Sequence, residues 1–175
     1  MNCHMPRITE GLATVVRTHS IFSPTNATML GANHPNACNL CHLEKPIDWT
    51  LHHLEEWYGA TFDARQLAGH MDRDLPAGLG WLQSDHTWTR MAASHAITSQ
   101  NARWALPQLV DLLDDRFIIA RHILEIDLEK MLGVSLADFG YRFYQSKPER
   151  REPIERLRDG LGQWLPSGED QDARD

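Results

Sequence analysis

Prolines at 6, 24, 35 and 46, with glycines at 11 and 31, interrupt the first 46 residues so often that no long helix can persist there. Each proline removes a backbone donor and steers the residue before it away from the helical conformation. The expectation is a mostly irregular segment with room for one short strand within "ATVVRTHSIF". Its apolar residues lack regular spacing, so it is expected to bury little alone and to wrap around something larger.

The pattern then turns helical. Asp48 reads as the cap of "WTLHHLEEWYG", with Trp49, Leu51, Leu54 and Trp57 marking one side and Gly59 the end. Residues 61–80 read as a linker or partial helix broken at Pro76, Gly78 and Gly80. From Trp81 onward, apolar residues recur at helical period. Trp88, Met91, Ala92 and His95 form one set, and Trp104, Leu109, Leu112 and Leu113 a second. Ile118, Ile119, Ile123, Ile126 and Met131 form a third, with Asp114 or Asp115 as its cap and Gly133 as its stop. Short connections between such helices imply antiparallel packing. "EPIERLRDGLGQWL" adds a helix, and "PSGEDQDARD" reads as a frayed acidic tail. The fold class expected is mainly α. Its organisation is a segment at 1–60, a linker at 61–80 and a helical region at 81–175 that includes the tail.

A hydrophobic content of 42% over 175 residues is enough for one core. The formal charge of -7 argues against nucleic acid, whose phosphates call for a basic patch. "KPERREPIERLRD" mixes both signs at helical spacing, as a solvated helix face does. No run approaches the roughly 18 apolar residues of a membrane span.

Residues 38–42 read Cys38-Asn39-Leu40-Cys41-His42, the C-x-x-C-H spacing of c-type haem attachment. Thiols three residues apart on a helical turn point the same way and can add across two vinyl groups on one porphyrin edge. The adjacent histidine then supplies the iron with a proximal nitrogen. Two other chemistries compete. Zinc could take Cys38, Cys41, His42 and Cys3, although neighbouring Cys41 and His42 reach one tetrahedral ion only with strain. A redox dithiol needs no histidine and usually opens a helix directly after a strand. "HHLEE" lacks the order of the zinc-hydrolase motif H-E-x-x-H.

The opening "NCHMP" places Cys3 before His4. It reads as the tail of a second such motif if a cysteine stands directly before Met1, so the chain is expected to begin inside a motif. Haem attachment takes place outside the cytoplasm. A periplasmic or otherwise exported protein, with its signal in missing upstream sequence, is therefore expected although this chain carries no signal peptide.

"NCHMPRI" at 2–8, "THSIFSP" at 18–24 and "HPNACNLCHLEKPIDW" at 34–49 together resemble the multihaem c-type cytochromes of the doubled C-x-x-C-H kind. "LPQLVDLLDDRFIIARHILEIDLEKMLG" is similar to the HEAT-type helical pair that often follows such haem segments. The resemblance implies a haem-wrapping N-terminal segment followed by a small HEAT-like antiparallel stack. It also implies His4 and His42 as proximal ligands and His19 as a distal one. The first thioether cysteine of the leading motif is absent here, which leaves the upstream haem to Cys3 and His4 alone.

Among other ligand candidates, His53 and His52 lie on the helix after the motif, His34 precedes it and Met29 offers a thioether. His70, His86, His95 and His122 read as surface or core residues of the helical half. Trp49, Trp57 and Tyr58 could cover a porphyrin, and Arg7 and Arg17 could pair with its propionates. The function expected is electron transfer through covalent haem c, with redox proteins as partners and further haem domains upstream. The rivals are a haem enzyme acting on nitrite, hydroxylamine or peroxide at an open iron, and a helical interaction module with a zinc-bound or vestigial cysteine site.

Overall fold

The computed structural model describes residues 4–11, 13–21, 23–63, 65, 67 and 72–165. Cys3, His70 and the tail at 166–175 lie outside the described residues, as do the expectations attached to them. The chain is mainly helical, with eight α-helices and one two-stranded sheet among the described residues. It divides into two compact units, Met1–Ala96 and Ile97–Asp175.

The first 46 residues hold more regular structure than their punctuation predicts. Strands β1 (Arg7–Glu10) and β2 (Val15–Arg17) form an antiparallel hairpin, with Arg7 opposite Arg17 and a bulge between Arg7 and Thr9. Two short helices follow, α1 (Ala27–Gly31) and α2 (Ala37–Cys41). Each fits between the proline breaks and begins at an asparagine. The Asn26 and Asn36 side chains accept from the backbone N–H groups of Met29 and Asn39, satisfying donors the first turn cannot pair.

Helix α3 runs Ile47–Tyr58 from an N-cap at Pro46, so Asp48 lies in its first turn instead of capping it. Pro46 fixes the extended conformation the chain needs before the helix, and Asp48 favours the positive end of the helix dipole. Gly59 closes α3 in the left-handed conformation at φ 64°, as expected. Ile47, Leu51 and Leu54 bury one face of α3 with Leu30 and Leu67, and Ala60 and Phe62 pack on that cluster. Trp57 falls outside it at 59% exposure.

The break expected at Gly78 and Gly80 is instead the interior of a helix, α4 (Ala77–Leu82). The reason is a close approach. The Ala77 and Gly78 N–H groups donate to the Lys45 and Leu43 carbonyls at 3.0 Å each. A Cβ on Gly78 would stand 3.1 Å from the Leu43 oxygen, so a hydrogen at this position lets α4 seat against the turn after the cysteine motif. Helix α5 (Thr87–Ser99) buries Met91, Ala92 and His95 as expected, while Trp88 is exposed. The division between the units falls inside α5.

In the second unit, the stretch that carries Trp104, Leu109, Leu112 and Leu113 at helical period is split into a 3-10 turn (Arg103–Ala105), α6 (Leu106–Asp111) and a second 3-10 turn (Leu112–Asp114). Helix α7 (Ile118–Leu132) closes at Gly133 as expected, but its N-cap is Phe117. Asp115 acts one step earlier, accepting from the Phe117 N–H at 2.8 Å. Helix α8 (Lys147–Asp159) starts before Glu152, because Ser146 and Glu149 together organise its first turn. α8 packs against α6, with Leu109, Leu113, Leu128 and Leu157 buried in this unit. Among the described residues, no helix is long and apolar enough to cross a membrane.

Candidate cofactor-attachment site

The five residues of the motif divide by the direction they face. Asn39 and Leu40 are buried, Cys38 is half-buried, and Cys41 and His42 are exposed. On a one-and-a-half-turn helix this is the expected consequence of placing the middle pair against the core. Neither Cys38 nor Cys41 is in a disulfide. The His42 N–H donates to the Cys38 carbonyl at 2.9 Å, closing the helical turn at its C-terminus.

Asn39 fixes this turn. Its side-chain oxygen accepts from the Thr50 hydroxyl at 2.6 Å and from the Asn36 amide at 3.0 Å. Its amide donates to the carbonyls of Lys45 at 3.0 Å and His42 at 3.3 Å. One fully buried amide therefore ties α2, the following turn and α3 together, and buried networks of this kind hold a unique geometry. The sequence reading missed Asn39 and Thr50. The readable signal was Asn36, an N-cap residue directly ahead of the motif.

A stripe of rings leads away from His42 along α3. Its imidazole lies 4.6 Å from the Trp49 ring centre, and Trp49 lies 4.6 Å from His53. His53 stacks on Trp57 at 4.8 Å with planes 21° apart. Positions 49, 53 and 57 are spaced by four, so they stand one above another along a flank of the buried face. The His53 Nδ1 is 3.2 Å from a Glu56 carboxylate oxygen. A carboxylate accepts, so Nδ1 carries the proton in this pairing and Nε2 is left as the donor atom for a metal. His52 is exposed on the same helix, 5.4 Å from His53.

The hairpin organises the other histidine pair. The Thr18 N–H donates to the Pro6 carbonyl at 3.0 Å, extending the pairing beyond Arg7 and Arg17. His4 and His19, both exposed, are therefore carried at the open end of one hairpin. The guanidinium of Arg17 donates to the Met5 carbonyl at 3.1 Å and that of Arg7 to the Val15 carbonyl at 3.4 Å. Both arginines brace the hairpin. A cleft of about 420 Å³ opens beside His4, lined also by Pro24, Tyr58 and Phe62. That volume is in the range of small-molecule pockets.

Met29 is half-buried on α1, and His34 is exposed just before α2. No group of three or more His, Cys, Asp or Glu side chains converges as a metal site among the described residues. The zinc set weighed from the sequence includes Cys3, which lies outside the described residues.

No protein-family model matches the chain, and no curated protein and no solved structure is significantly similar to it.

Proposed function

We propose that this chain is an electron-transfer module of a multihaem c-type cytochrome, holding haem through thioether bonds to Cys38 and Cys41 with His42 as the proximal iron ligand. The observation that carries the reading is the division of α2 into two faces. Asn39 and Leu40 anchor the turn, and Cys41 and His42 stand outward with Cys38 at their border. Bound haem supplies a one-electron iron couple, tuned by its axial ligands and by exclusion of water.

The chain's own residues supply the setting. Asn39 and Thr50 hold the attachment turn rigid, so the thiols and the imidazole keep one relative placement. Trp49 is in ring contact with His42 and supports one side of that imidazole. His53, oriented by Glu56, and His19, at the hairpin end with His4, are the side chains available as further axial ligands. The second unit is read as a HEAT-like stack that presents the module to redox partner proteins. The natural setting is the periplasm or another exported compartment.

The test is expression of the full chain, directed for export, in a host that matures c-type haem. The expected result is a pigment that stays with the polypeptide on a denaturing gel and resists acidic organic solvent. Cys41→Ser is expected to weaken that retention, and Cys38→Ser with Cys41→Ser to abolish retention at this motif. A colourless mature protein, or pigment held equally well by the double variant, would overturn the assignment.

A further inference from the structure

We infer that the C-terminal end of α3 is a docking surface for a protein partner that presents arginine or lysine side chains. Trp57 and Tyr58 stand next to each other there at 59% and 63% exposure. A single exposed aromatic is ordinary, but an adjacent pair at a helix end makes a contiguous patch. Exposed carboxylates accompany both rings. Glu56 and Trp57 both contact the His53 imidazole, the first through a 3.2 Å hydrogen bond and the second by stacking at 4.8 Å. Glu55, also exposed, lies three positions before Tyr58, where helical side chains are neighbours.

Three features of this surface attract cations. The face of an indole or phenol ring draws a guanidinium or ammonium group placed within about 6 Å of its centre. The two carboxylates add negative charge, and the carbonyl end of a 12-residue helix adds the negative pole of its dipole. The last turn of α3 carries no Lys or Arg that could neutralise them. Downstream, Arg65 pairs with Asp63 and Arg73 with Asp48. Charge complementarity therefore selects a basic occupant. The surface is also preset. Gly59 closes α3 in the left-handed conformation, and His53, held by Glu56 and edge-on to Trp49 at 4.6 Å, backs the Trp57 ring. An aromatic anchor supported in this way loses little further freedom when a partner covers it. Two ring and carboxylate pairs side by side suit a segment with more than one basic residue, which a protein partner supplies.

This surface uses none of Cys38, Cys41 and His42, so the inference and the haem attachment can fail separately. The test is two-dimensional NMR of the nitrogen-15-labelled full chain, titrated at low salt with a peptide of three arginines separated by glycines. The Trp57 indole N–H and the backbone N–H groups around it are expected to shift most and to saturate. Trp57→Ala should weaken binding about threefold or more, and so should Glu55→Gln combined with Glu56→Gln, as exposed cation–π contacts and ion pairs do. Binding should also weaken as salt rises. The same peptide with glutamate in place of arginine should cause no shift. Shifts centred elsewhere on the chain, or a loss below threefold in either variant, overturn the surface. Arginine amide saturating the site at the same concentration as the peptide overturns the protein partner in favour of a small cation.

Discussion

The Thr50 hydroxyl donates to the side-chain oxygen of Asn39 across 2.6 Å, joining the centre of the cysteine motif to the helix that follows it. Asn39 is 0% exposed and Thr50 1%, so neither can exchange this bond for one to water. Asn39→Ala would strand the Thr50 hydroxyl and the Asn36 amide together, while the Lys45 carbonyl keeps the Ala77 N–H. An unsatisfied buried group costs about 1–3 kcal/mol, and partial relaxation should hold the total to roughly 2–4 kcal/mol. Urea denaturation of the full chain, following the Trp81 environment, checks it. A loss below the range of ordinary surface substitutions would mean that the network does not hold the turn.

In the second unit, the buried Tyr141 hydroxyl donates to the Leu113 carbonyl at 2.8 Å. Burial pushes its phenol well above the ordinary value of 10, with Arg121 opposing that shift. The folded state therefore holds this proton more tightly than the unfolded state does. The associated stability is fully present below about pH 10 and is lost as pH rises toward the folded value. Tyr141→Phe leaves the Leu113 carbonyl unpaired and should cost about 1–2 kcal/mol at neutral pH. It should also flatten the alkaline decline in stability, measured by denaturation at a series of pH values. An unchanged alkaline slope in the variant would refute the assignment.

Arg150, 5% exposed, donates from Nε and Nη2 to one Asp114 oxygen at 3.1 and 2.6 Å, and from Nη1 to the Gln145 carbonyl. Asp114→Asn removes the countercharge from a guanidinium that has little access to water. Because Asp114 itself is more than a third exposed, the loss should fall below that of a fully buried pair, at about 2–3 kcal/mol. Arg150→Met in the same chain should recover part of it, since no charge is then left unpaired. A double-mutant cycle by thermal denaturation reads this coupling, and strict additivity would argue against it.

At the start of α8, the Ser146 hydroxyl and backbone N–H both donate to one Glu149 oxygen, at 2.6 and 2.8 Å. The hydroxyl bond first, then the backbone bond, holds the Glu149 carboxyl below its ordinary 4.5. Its contribution is present above that value and is lost as pH falls through the lower, folded-state value. Ser146→Ala should raise the Glu149 titration midpoint toward 4.5 in a carbon-13 carboxyl titration. A midpoint that stays where it was would place the cause elsewhere.

Residues differ in how openly the sequence announces them. Gly59 and Gly133 were legible as helix ends, because a left-handed stop strongly favours glycine wherever it occurs. The thiol pair and His42 were legible as a candidate site through spacing alone. Gly78 looked the same as those stops but sits inside α4, where the Leu43 carbonyl leaves no room for a side chain. Trp57 and Trp88 followed the apolar period yet lie exposed.

The sequence by itself determined that Gly59 and Gly133 end helices, that this chain is mainly helical, and which five residues form the candidate motif. These follow from interactions spanning a few neighbours, where proline, glycine and a three-residue spacing act locally. Tertiary structure alone decided that Asn39 anchors the motif and that Arg7 and Arg17 brace a hairpin. Each of those depends on groups brought together by chain folding, and no local pattern records which distant carbonyl, hydroxyl or ring will arrive beside a given side chain.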